Sequence, residues 1–380
     1  MKLDKVLIIG GGIGGATTAL ALQRLGIRAE VFEKSSHLQT HATGFTLWSY
    51  AIRHLMDLGL SRDTLNSFGS AVQIAEIRNK SGKLLEEMPV GEVSEKLGAP
   101  SYEMLRANLI QAIMNSLAPD SLHLKKECIG VEPAGEKVTA IFQDGTQVTG
   151  DLLIGADGIH STVRRYVAGD FKLNYSGYSA VVAVLPFEHE LLAPQHHVEI
   201  WGRGAKAGVA DVGPSQARWY VTHQNPVGAD ANISKTEVLE RIQGWYPLIR
   251  DAVQATDASR LVRVEVWDLE PLKTWVKGRV VLLGDAAHAT TPFAAMGANM
   301  TIQDSVKLVD LLQYSSHLDE ALQGFQDHRK KRTEEVIKKS RSMGKIAHVH
   351  SPILAWIRDQ AFLHMDPKTI EKVTREMAGG

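Results

Sequence analysis

Three glycines in the spacing Gly10-x-Gly12-x-x-Gly15 stand between a short apolar run and a segment with helical periodicity. In this spacing the first glycine permits a tight turn, the second lets the backbone approach a pyrophosphate, and the third lets the helix pack close to the strand. Glu33 ends the next apolar run, where its carboxylate can accept hydrogen bonds from a ribose diol and would repel a 2′-phosphate. The pattern predicts a dinucleotide site that favours FAD or NAD over NADP. A glycine-rich turn without a ligand is the alternative.

Two aspartates stand in similar surroundings further along the chain. Asp157 and Asp285 each follow an apolar run and lie in a turn of small residues. An aspartate at the carboxyl end of a strand can contact a ligand at the sheet edge, or it can cap the helix that follows. Both interpretations are open at this stage, and for Asp157 the capped helix would begin near Ser161.

The elements that must position these residues follow from the apolar periodicity. The chain begins with a β-α-β unit, consisting of a strand at 6–9, a helix from Ile13 to Leu25 and a strand at 29–32. Apolar runs at 148–154 and 279–283 predict two further strands of the same sheet.

Residues 172–268 have a different residue pattern, in which short runs of β-type residues alternate with Gly and Pro turns. This pattern predicts an antiparallel sheet inserted into the nucleotide-binding domain. From about 301 to 365 the pattern is mostly helical. The fold class predicted is therefore α/β with an α+β insert: a Rossmann-like domain, an inserted antiparallel-sheet domain and C-terminal helices.

Composition excludes several classes of protein. The chain has 380 residues, of which 44% are apolar and 22% charged, and a net charge of −1, so it is not intrinsically disordered as a whole. A near-neutral chain has no global electrostatic reason to bind nucleic acid or a membrane. The single cysteine, Cys128, excludes an internal disulfide and a cysteine-cluster metal site. We expect a cytoplasmic protein, because no apolar run resembles a signal peptide or a membrane span.

The N-terminal loop, DLLIGADGIHSTVRR and GRVVLLGDAAHATTP together resemble the class A flavin-dependent monooxygenases, the para-hydroxybenzoate hydroxylase-like family. The resemblance covers nearly the whole chain and is greatest to small hydroxylases of urate, quinolones and tetracyclines. It implies an FAD enzyme that uses NADPH or NADH and O₂ to hydroxylate an aromatic or heteroaromatic small molecule through a flavin C4a-hydroperoxide.

The resemblance also implies a division of the chain and a set of site residues. The expected units are a discontinuous FAD-binding domain at 1–70, 98–171 and 269–325, a substrate-binding sheet domain at 71–97 and 172–268, and a C-terminal helical segment at 326–380. The residues expected to bind the cofactor are Gly10, Gly12, Ile13, Gly14, Gly15, Glu33, Lys34, Arg106, Asp157, Asp285, Gly297, Ala298 and Asn299.

One segment departs from the family pattern. Most members read Pro-x-x-Gly-Gln-Gly, whereas this chain has Ala295 and Met296 where the first glycine and the glutamine would stand. The backbone N–H groups near Gly297 are expected to stabilise negative charge on the flavin, and the carbonyl of Pro292 is expected near the reacting oxygen. No side-chain nucleophile is required, so His288 is interpreted as a packing residue and not as a base.

The inserted sheet is expected to cover the flavin and form an apolar substrate pocket. Candidate substrate residues are Arg218, Phe293, Met296, Trp201 and Tyr220, with Trp48 and Trp219 as further aromatics. Each aromatic could equally be a core residue, and the arginine could lie on the surface of a strand. His196 and His197 are adjacent on a predicted strand, so they point to opposite faces and do not form a metal pair.

The basic run at 327–332 is interpreted as a solvated helix face and not as a nucleic-acid site, because glutamates interleave with it. The expected partners are a small aromatic substrate and O₂, without nucleic acid or membrane, in a monomer or homodimer. A flavoprotein oxidase, a Baeyer–Villiger oxygenase or a non-catalytic redox sensor are the alternative functions.

Overall fold

The computed structural model describes residues 3–38, 43–228 and 233–379. The strands are β1 Lys5–Ile9, β2 Arg28–Phe32, β3 Gly44–Leu47, β4 Gly69–Ala71, β5 Ile74–Asn79, β6 Leu84–Met88, β7 Tyr102–Leu105, β8 Leu122–His123, β9 Cys128–Ala134, β10 Lys137–Phe142, β11 Gln147–Gly150, β12 Leu152–Gly155, β13 Leu173–Pro186, β14 His196–Trp201, β15 Ala205–Gly213, β16 Gln216–Gln224, β17 Val262–Leu269, β18 Val276–Lys277 and β19 Val280–Leu282. The helices are α1 Ile13–Arg24, α2 Ser49–Asp57, α3 Arg62–Asn66, α4 Val90–Lys96, α5 Arg106–Met114, α6 Thr162–Ala168, α7 Lys235–Arg241, α8 Pro247–Ala255, α9 Asp285–His288, α10 Gly297–Tyr314, α11 Leu318–Ala347, α12 Pro352–Leu363 and α13 Pro367–Gly379.

A six-stranded sheet in the order β18-β19-β12-β1-β2-β8 carries the nucleotide motifs. All its neighbours pair in parallel except β18, which is antiparallel to β19. The central strands are buried on both faces, which is why they read as continuous apolar runs in the sequence. Their carboxyl ends meet at one edge, so the glycine loop and both aspartate turns lie side by side.

The single strand predicted at 148–154 is wrong in one respect, because the structure divides it into β11 and β12. The break is at Asp151, whose carboxylate accepts hydrogen bonds from the backbone N–H groups of Asp4 and Lys5. β11 pairs with β10 in a separate three-stranded sheet, whereas β12 joins the parallel sheet. The fully buried β12 carries the apolar part of the run, whereas β11 is largely exposed.

A seven-stranded sheet in the order β17-β13-β16-β15-β14-β5-β6 forms the second layer. Its pairs are antiparallel except β14 with β5. One face packs on α7 and α8 and buries alternate residues of the strands, among them Val198, Val209, Trp219 and Val221. The opposite face turns toward the parallel sheet, and the fold class expected from the sequence is confirmed.

α10 and α11 close the space between the two sheets. α11 is one continuous helix from Leu318 to Ala347, so the predicted boundary between 325 and 326 falls inside this helix. Within the described part of the chain, none of the helices combines the length and apolar character that a membrane-spanning helix needs.

Candidate active site

The glycine loop has the geometry of a phosphate cradle. Gly10 has a φ of +106°, and a Cβ there would lie 2.4 Å from the carbonyl oxygen of Ala156. A Cβ on Gly15 would lie 1.9 Å from the carbonyl oxygen of Gly10, so only glycine lets α1 approach β1 this closely. A Cβ on Gly12 would instead point into open space, with its nearest neighbour, Arg106 Nη2, at 3.4 Å. Two glycines therefore serve packing, and the third leaves room beside the N-terminus of α1.

An open-sided cavity of about 400 Å³ begins at this loop and runs between the two sheets. Of the expected cofactor residues, those that line it are Gly12, Ile13, Gly14, Arg106, Asp285, Gly297, Ala298 and Asn299. No side chain caps the first turn of α1, so its free N–H groups are available to an anion at the loop.

Arg106 lies beside the glycine loop at the start of α5. Its Nε atom is buried and has no hydrogen-bond partner among the described residues. A buried guanidinium nitrogen left unpaired is costly, which indicates that a bound group completes its hydrogen bonding.

Glu33 and Lys34 lie next to the loop but do not line the cavity. Glu33 accepts hydrogen bonds from the backbone N–H groups of Gly11 and Ser35, both within 2.9 Å, so its carboxylate is held at the end of β2. Lys34 is exposed to solvent.

Asp157 is a helix cap in the structure. Its carboxylate accepts hydrogen bonds from the Ser161 hydroxyl at 2.5 Å and from the backbone N–H groups of Thr162 and Val163 at 2.7 and 3.1 Å. Burial raises the pKa of this carboxyl above its usual value. The capping interpretation, left open by the sequence, is therefore what the geometry shows.

Arg164 is a site residue that the sequence analysis missed. It is fully buried and donates to the carbonyl oxygens of Gly158, Ile159, Asp285 and Ala286, at 2.7–3.1 Å. One side chain thus joins the two aspartate turns. Its place in the same motif as Asp157 was visible, but its contact with a turn 121 residues away in sequence was not.

Asp285 is exposed, lines the cavity and directs its carboxylate to no hydrogen-bond partner within the described ranges. Behind it, His288 Nε2 lies 2.5 Å from Asp304, which also accepts from Arg329 Nε at 2.7 Å. Burial alone would raise the pKa of the Asp304 carboxyl, but the charges of His288 and Arg329 outweigh it and hold the pKa below its usual value. His288 is thus tied into a buried ion cluster, as expected of a packing residue.

The segment that departs from the family pattern still forms a tight turn. A 3₁₀ turn at Pro292–Ala294 is followed by Ala295 in the left-handed conformation, with a φ of +51°. An alanine tolerates this conformation poorly, which explains why glycine is usual there. The Asn299 amide donates to the carbonyl oxygens of Thr46 and Ala295 and accepts from the Trp48 N–H, so the side chain holds the turn.

The cavity has the apolar lining expected from Phe293 and Met296, but part of its sheet wall also carries charged side chains that the sequence did not predict. Glu103 on β7 is completely buried and accepts from Arg218 Nε and Nη2 at 2.7 and 3.0 Å, from the Thr46 hydroxyl at 2.6 Å and from His197 Nδ1 at 2.9 Å. Burial alone would raise the pKa of Glu103, but the charge of Arg218 and the hydrogen bonds from Arg218 and His197 hold it well below its usual range. The carboxylate is therefore ionised, and His197 Nδ1 donates to it.

A second group of charged and polar side chains is centred on Glu199. Glu199 accepts from Lys206 Nζ and from the Tyr220 hydroxyl, both at 2.6 Å. Burial opposes ionisation of Glu199, yet the charge of Lys206 and the hydrogen bonds from Lys206 and Tyr220 lower its pKa to about 2. Gly208 lies between Glu199 and Tyr220 in the strand register, and a Cβ there would lie 2.5 Å from the Tyr220 ring. The missing side chain lets the tyrosine lie across β15 and reach Glu199.

The structure places four of the five predicted substrate residues at the cavity. Arg218, Tyr220, Phe293 and Met296 line the cavity, whereas Trp201 does not. Trp201 packs edge-on against Phe362, and its indole N–H donates to Glu199 at 2.8 Å, so it acts through that carboxylate.

His197, Glu199 and Lys206 line the cavity and were not predicted to do so. The signal was present as period-two alternation. In the run 196–201 the polar residues alternate with Val198 and Ile200, which face the core. His196 faces away from His197, toward Glu76, so the two histidines form no metal pair, and no metal cluster occurs among the described residues.

These features fit FAD. The cavity offers a helix N-terminus and an arginine with an unpaired nitrogen for the pyrophosphate, and a free carboxylate at Asp285 for a hydroxyl-bearing chain. It then offers the N-terminus of α10, where Gly297 and Ala298 present backbone N–H groups. The cavity thus holds groups suited to a phosphate, to a polyol chain and to a ring that carries negative charge.

Comparison with known proteins agrees with the geometry. A family model described as FAD binding domain matches residues 4–340. The aurachin C monooxygenase/isomerase of Stigmatella aurantiaca is 32% identical over 97% of this chain and 96% of its own length. A FAD-dependent urate hydroxylase of Mycolicibacterium vanbaalenii is 29% identical over 92% of this chain and 90% of its own.

A solved structure shows the same fold with its cofactor bound. Klebsiella pneumoniae HpxO complexed with FAD and uric acid superposes with a TM-score of 0.91 at 26% identity, covering 98% of this chain and 96% of that one. The family match extends over most of the sequence, and the relatives are FAD-dependent monooxygenases and hydroxylases. This chain therefore belongs to the FAD binding domain family and is a class A FAD-dependent monooxygenase.

Proposed function

We propose that the enzyme hydroxylates a small heteroaromatic molecule that carries an ionisable O–H or N–H group, held between the flavin ring and the charged wall of the seven-stranded sheet. The observation that supports this most strongly is His197. It lines the cavity, and its Nε2 atom is buried without a hydrogen-bond partner within the described residues.

The state of His197 follows from its partner. In the neutral imidazole, the Nδ1–H donates a hydrogen bond to ionised Glu103, which leaves a lone pair at Nε2. A substrate O–H or N–H can donate to that lone pair and transfer its proton. Loss of that proton makes the ring more electron-rich, which is what transfer of an electrophilic oxygen requires.

Glu199 has a different role from His197. Lys206 holds the pKa of Glu199 at about 2, so Glu199 is a poor proton acceptor. Its bond from the Tyr220 hydroxyl leaves the tyrosine oxygen free to accept a hydrogen bond from a ring N–H. Tyr220 and Glu199 therefore orient the substrate, while His197 is the base.

When bound, FAD supplies the reductive activation of O₂, with NADH or NADPH as the source of electrons. We propose that Gly12, Gly14 and Arg106 hold the pyrophosphate, that Asp285 accepts hydrogen bonds from the ribityl chain and that Glu33 lies toward the ribose. The N–H groups of Gly297 and Ala298 would stabilise negative charge on the ring. Pro292, Phe293 and Met296 line the cavity beside that helix terminus and exclude water there.

A substrate panel tests the proposal. NAD(P)H consumption and product mass are measured with heteroaromatic compounds that carry an ionisable O–H or N–H, and with the same compounds O- or N-methylated. We expect coupled hydroxylation only with the first set. Peroxide formation without product for every compound would instead indicate an oxidase.

The role of His197 is tested separately with His197→Gln. The glutamine amide can keep a hydrogen bond to Glu103 but cannot take a proton. We expect the hydroxylation rate to fall about 100-fold or more and its pH profile to change, with FAD binding unchanged. A pH profile identical to that of the wild type would exclude His197 as the base.

The redox-sensor alternative finds no support. Burial raises the pKa of the Cys128 thiol, the one cysteine, to about 11, so it presents no reactive thiolate.

A further inference from the structure

The surface of α12 carries an apolar patch that nothing else in the described chain covers. Ile353, Leu354, Trp356 and Ile357 are 69%, 55%, 63% and 50% exposed, and we call these four residues the α12 patch. A single exposed apolar residue is ordinary, but four on one helix turn, with Ile346 nearby at 47%, form a contiguous surface.

The patch is held in place by the opposite side of the same helix. Ala355 and Arg358 are buried, and Arg358 Nη1 donates to the carbonyl oxygens of Gly202 and Ala347, both at 3.1 Å. Phe362 packs edge-on against Trp201. At about 100° per residue the four patch residues cover the face of α12 that points away from these contacts. The patch is therefore a fixed surface of the folded protein.

The chain segment that leads into the patch is rich in basic residues. From 336 to 358 the sequence contains five lysines and arginines and no aspartate or glutamate. Arg341 pairs with Asp268 at 2.6 Å, and Arg358 pairs with Asp359 at 2.8 Å. The other three are exposed, on the C-terminal half of α11: Lys338, Lys339 and Lys345.

An apolar helix face that includes a tryptophan, bordered by lysines, fits the interfacial region of an anionic bilayer. The aliphatic side chains enter the acyl boundary, the indole lies at the headgroup level, and the lysines pair with lipid phosphates. We propose that the α12 patch together with Lys338, Lys339 and Lys345 docks the enzyme on an anionic lipid surface. The net charge of −1 gives no reason to expect a membrane contact, because it averages over the whole chain and hides this local basic segment.

Vesicle sedimentation of the FAD-loaded full chain tests the proposal. We expect binding to vesicles in which phosphatidylglycerol replaces part of the phosphatidylcholine, and weaker binding to phosphatidylcholine alone or at high salt. Ile353→Ser combined with Trp356→Ser should lower the partition coefficient about tenfold or more. Lys338→Glu combined with Lys339→Glu should abolish the preference for the anionic lipid. Tyr314→Ser is the matched control, because Tyr314 is 80% exposed at the far end of α10.

Trp356 supplies a second readout, since it is the most exposed of the seven tryptophans. Its emission should shift to the blue on adding anionic vesicles, and the shift should disappear in Trp356→Phe while binding remains. Absence of wild-type binding to either vesicle would overturn the proposal. So would a dimer in sedimentation velocity that the serine variants dissociate, because the patch would then be an interface between two copies.

Discussion

At the scale of single residues, the three glycines of the nucleotide loop have different roles although they belong to one motif. Gly10 and Gly15 face each other across the turn, where no side chain fits, whereas Gly12 faces the cavity. The sequence pattern cannot make this distinction, because the distances depend on how α1 packs on β1.

Gly12→Ala and Gly15→Ala form a matched pair that tests this distinction. Gly12→Ala should change the free energy of unfolding of the apoprotein by less than about 1 kcal/mol, while it weakens FAD binding strongly, since the methyl group occupies pyrophosphate space. Gly15→Ala should destabilise the apoprotein by about 3 kcal/mol or more, because its Cβ meets a backbone oxygen that cannot move away. Urea unfolding and flavin fluorescence titration measure the two effects, and equal stability of both variants would contradict the assignment.

Asp285 gives a second prediction at this scale. Its carboxylate has no hydrogen-bond partner in the described chain, so its main role is expected when the cofactor is bound. Asp285→Ala should weaken FAD affinity about tenfold or more, since a charge-assisted hydrogen bond contributes about 1.5–3 kcal/mol. The thermal midpoint of the apoprotein should stay unchanged. Wild-type affinity in isothermal titration would show that Asp285 only begins α9.

At the scale of elements, β15 decides what the neighbouring strands can present to the substrate. Because Gly208 has no side chain, Tyr220 on β16 reaches Glu199 on β14 across the strand between them. The glycine thereby shapes a polar contact made by two other elements.

Gly208→Ala should displace the Tyr220 ring, because the new Cβ would lie 2.5 Å from it. We expect a higher KM for substrate and more peroxide per NAD(P)H consumed, with FAD affinity unchanged. Gly130→Ala on β9 is the control, since its Cβ would have ordinary contacts at 3.6 Å or beyond. Coupling as efficient as in the wild type would mean that Tyr220 does not orient the substrate.

At the scale of the whole molecule, buried ion pairs join the layers. Asp304 on α10 links the turn at His288 to α11 through Arg329, and Glu103 on β7 links the smaller β3-β7-β4 sheet to the seven-stranded sheet through Arg218. Removing one member of such a pair leaves an uncompensated charge, so the layers depend on ionised carboxylates.

The free energy of unfolding should therefore fall in acid. The pKa values of Glu103, Glu199 and Asp304 are all lowered in the folded protein. A carboxyl with a lowered pKa stabilises the fold above its unfolded pKa, and this contribution is lost as the pH falls through the folded value. Urea unfolding across a pH series should show a steady loss of stability from about pH 5 downward. A flat profile between about pH 5 and pH 3 would show that these pairs contribute little.

The sequence by itself determined the fold class, the β-α-β unit, the nucleotide loop and the family, because these depend on local patterns: glycine spacing, apolar strands buried on both faces, and short motifs that one turn contains. It also gave Arg218 and Tyr220 as candidates near the substrate. Only the tertiary structure decided that their neighbours are charged. Glu103 comes from a strand 115 residues earlier than Arg218, and His197 from a third strand.

The tertiary structure likewise assigned Asp157 to a helix cap, joined two turns through Arg164 and placed Trp201 behind Glu199. Each of these outcomes depends on which side chains meet across elements. A one-dimensional pattern records the period of a strand, and with it the face on which a residue lies. It does not record what the packing of the other layers brings against that face.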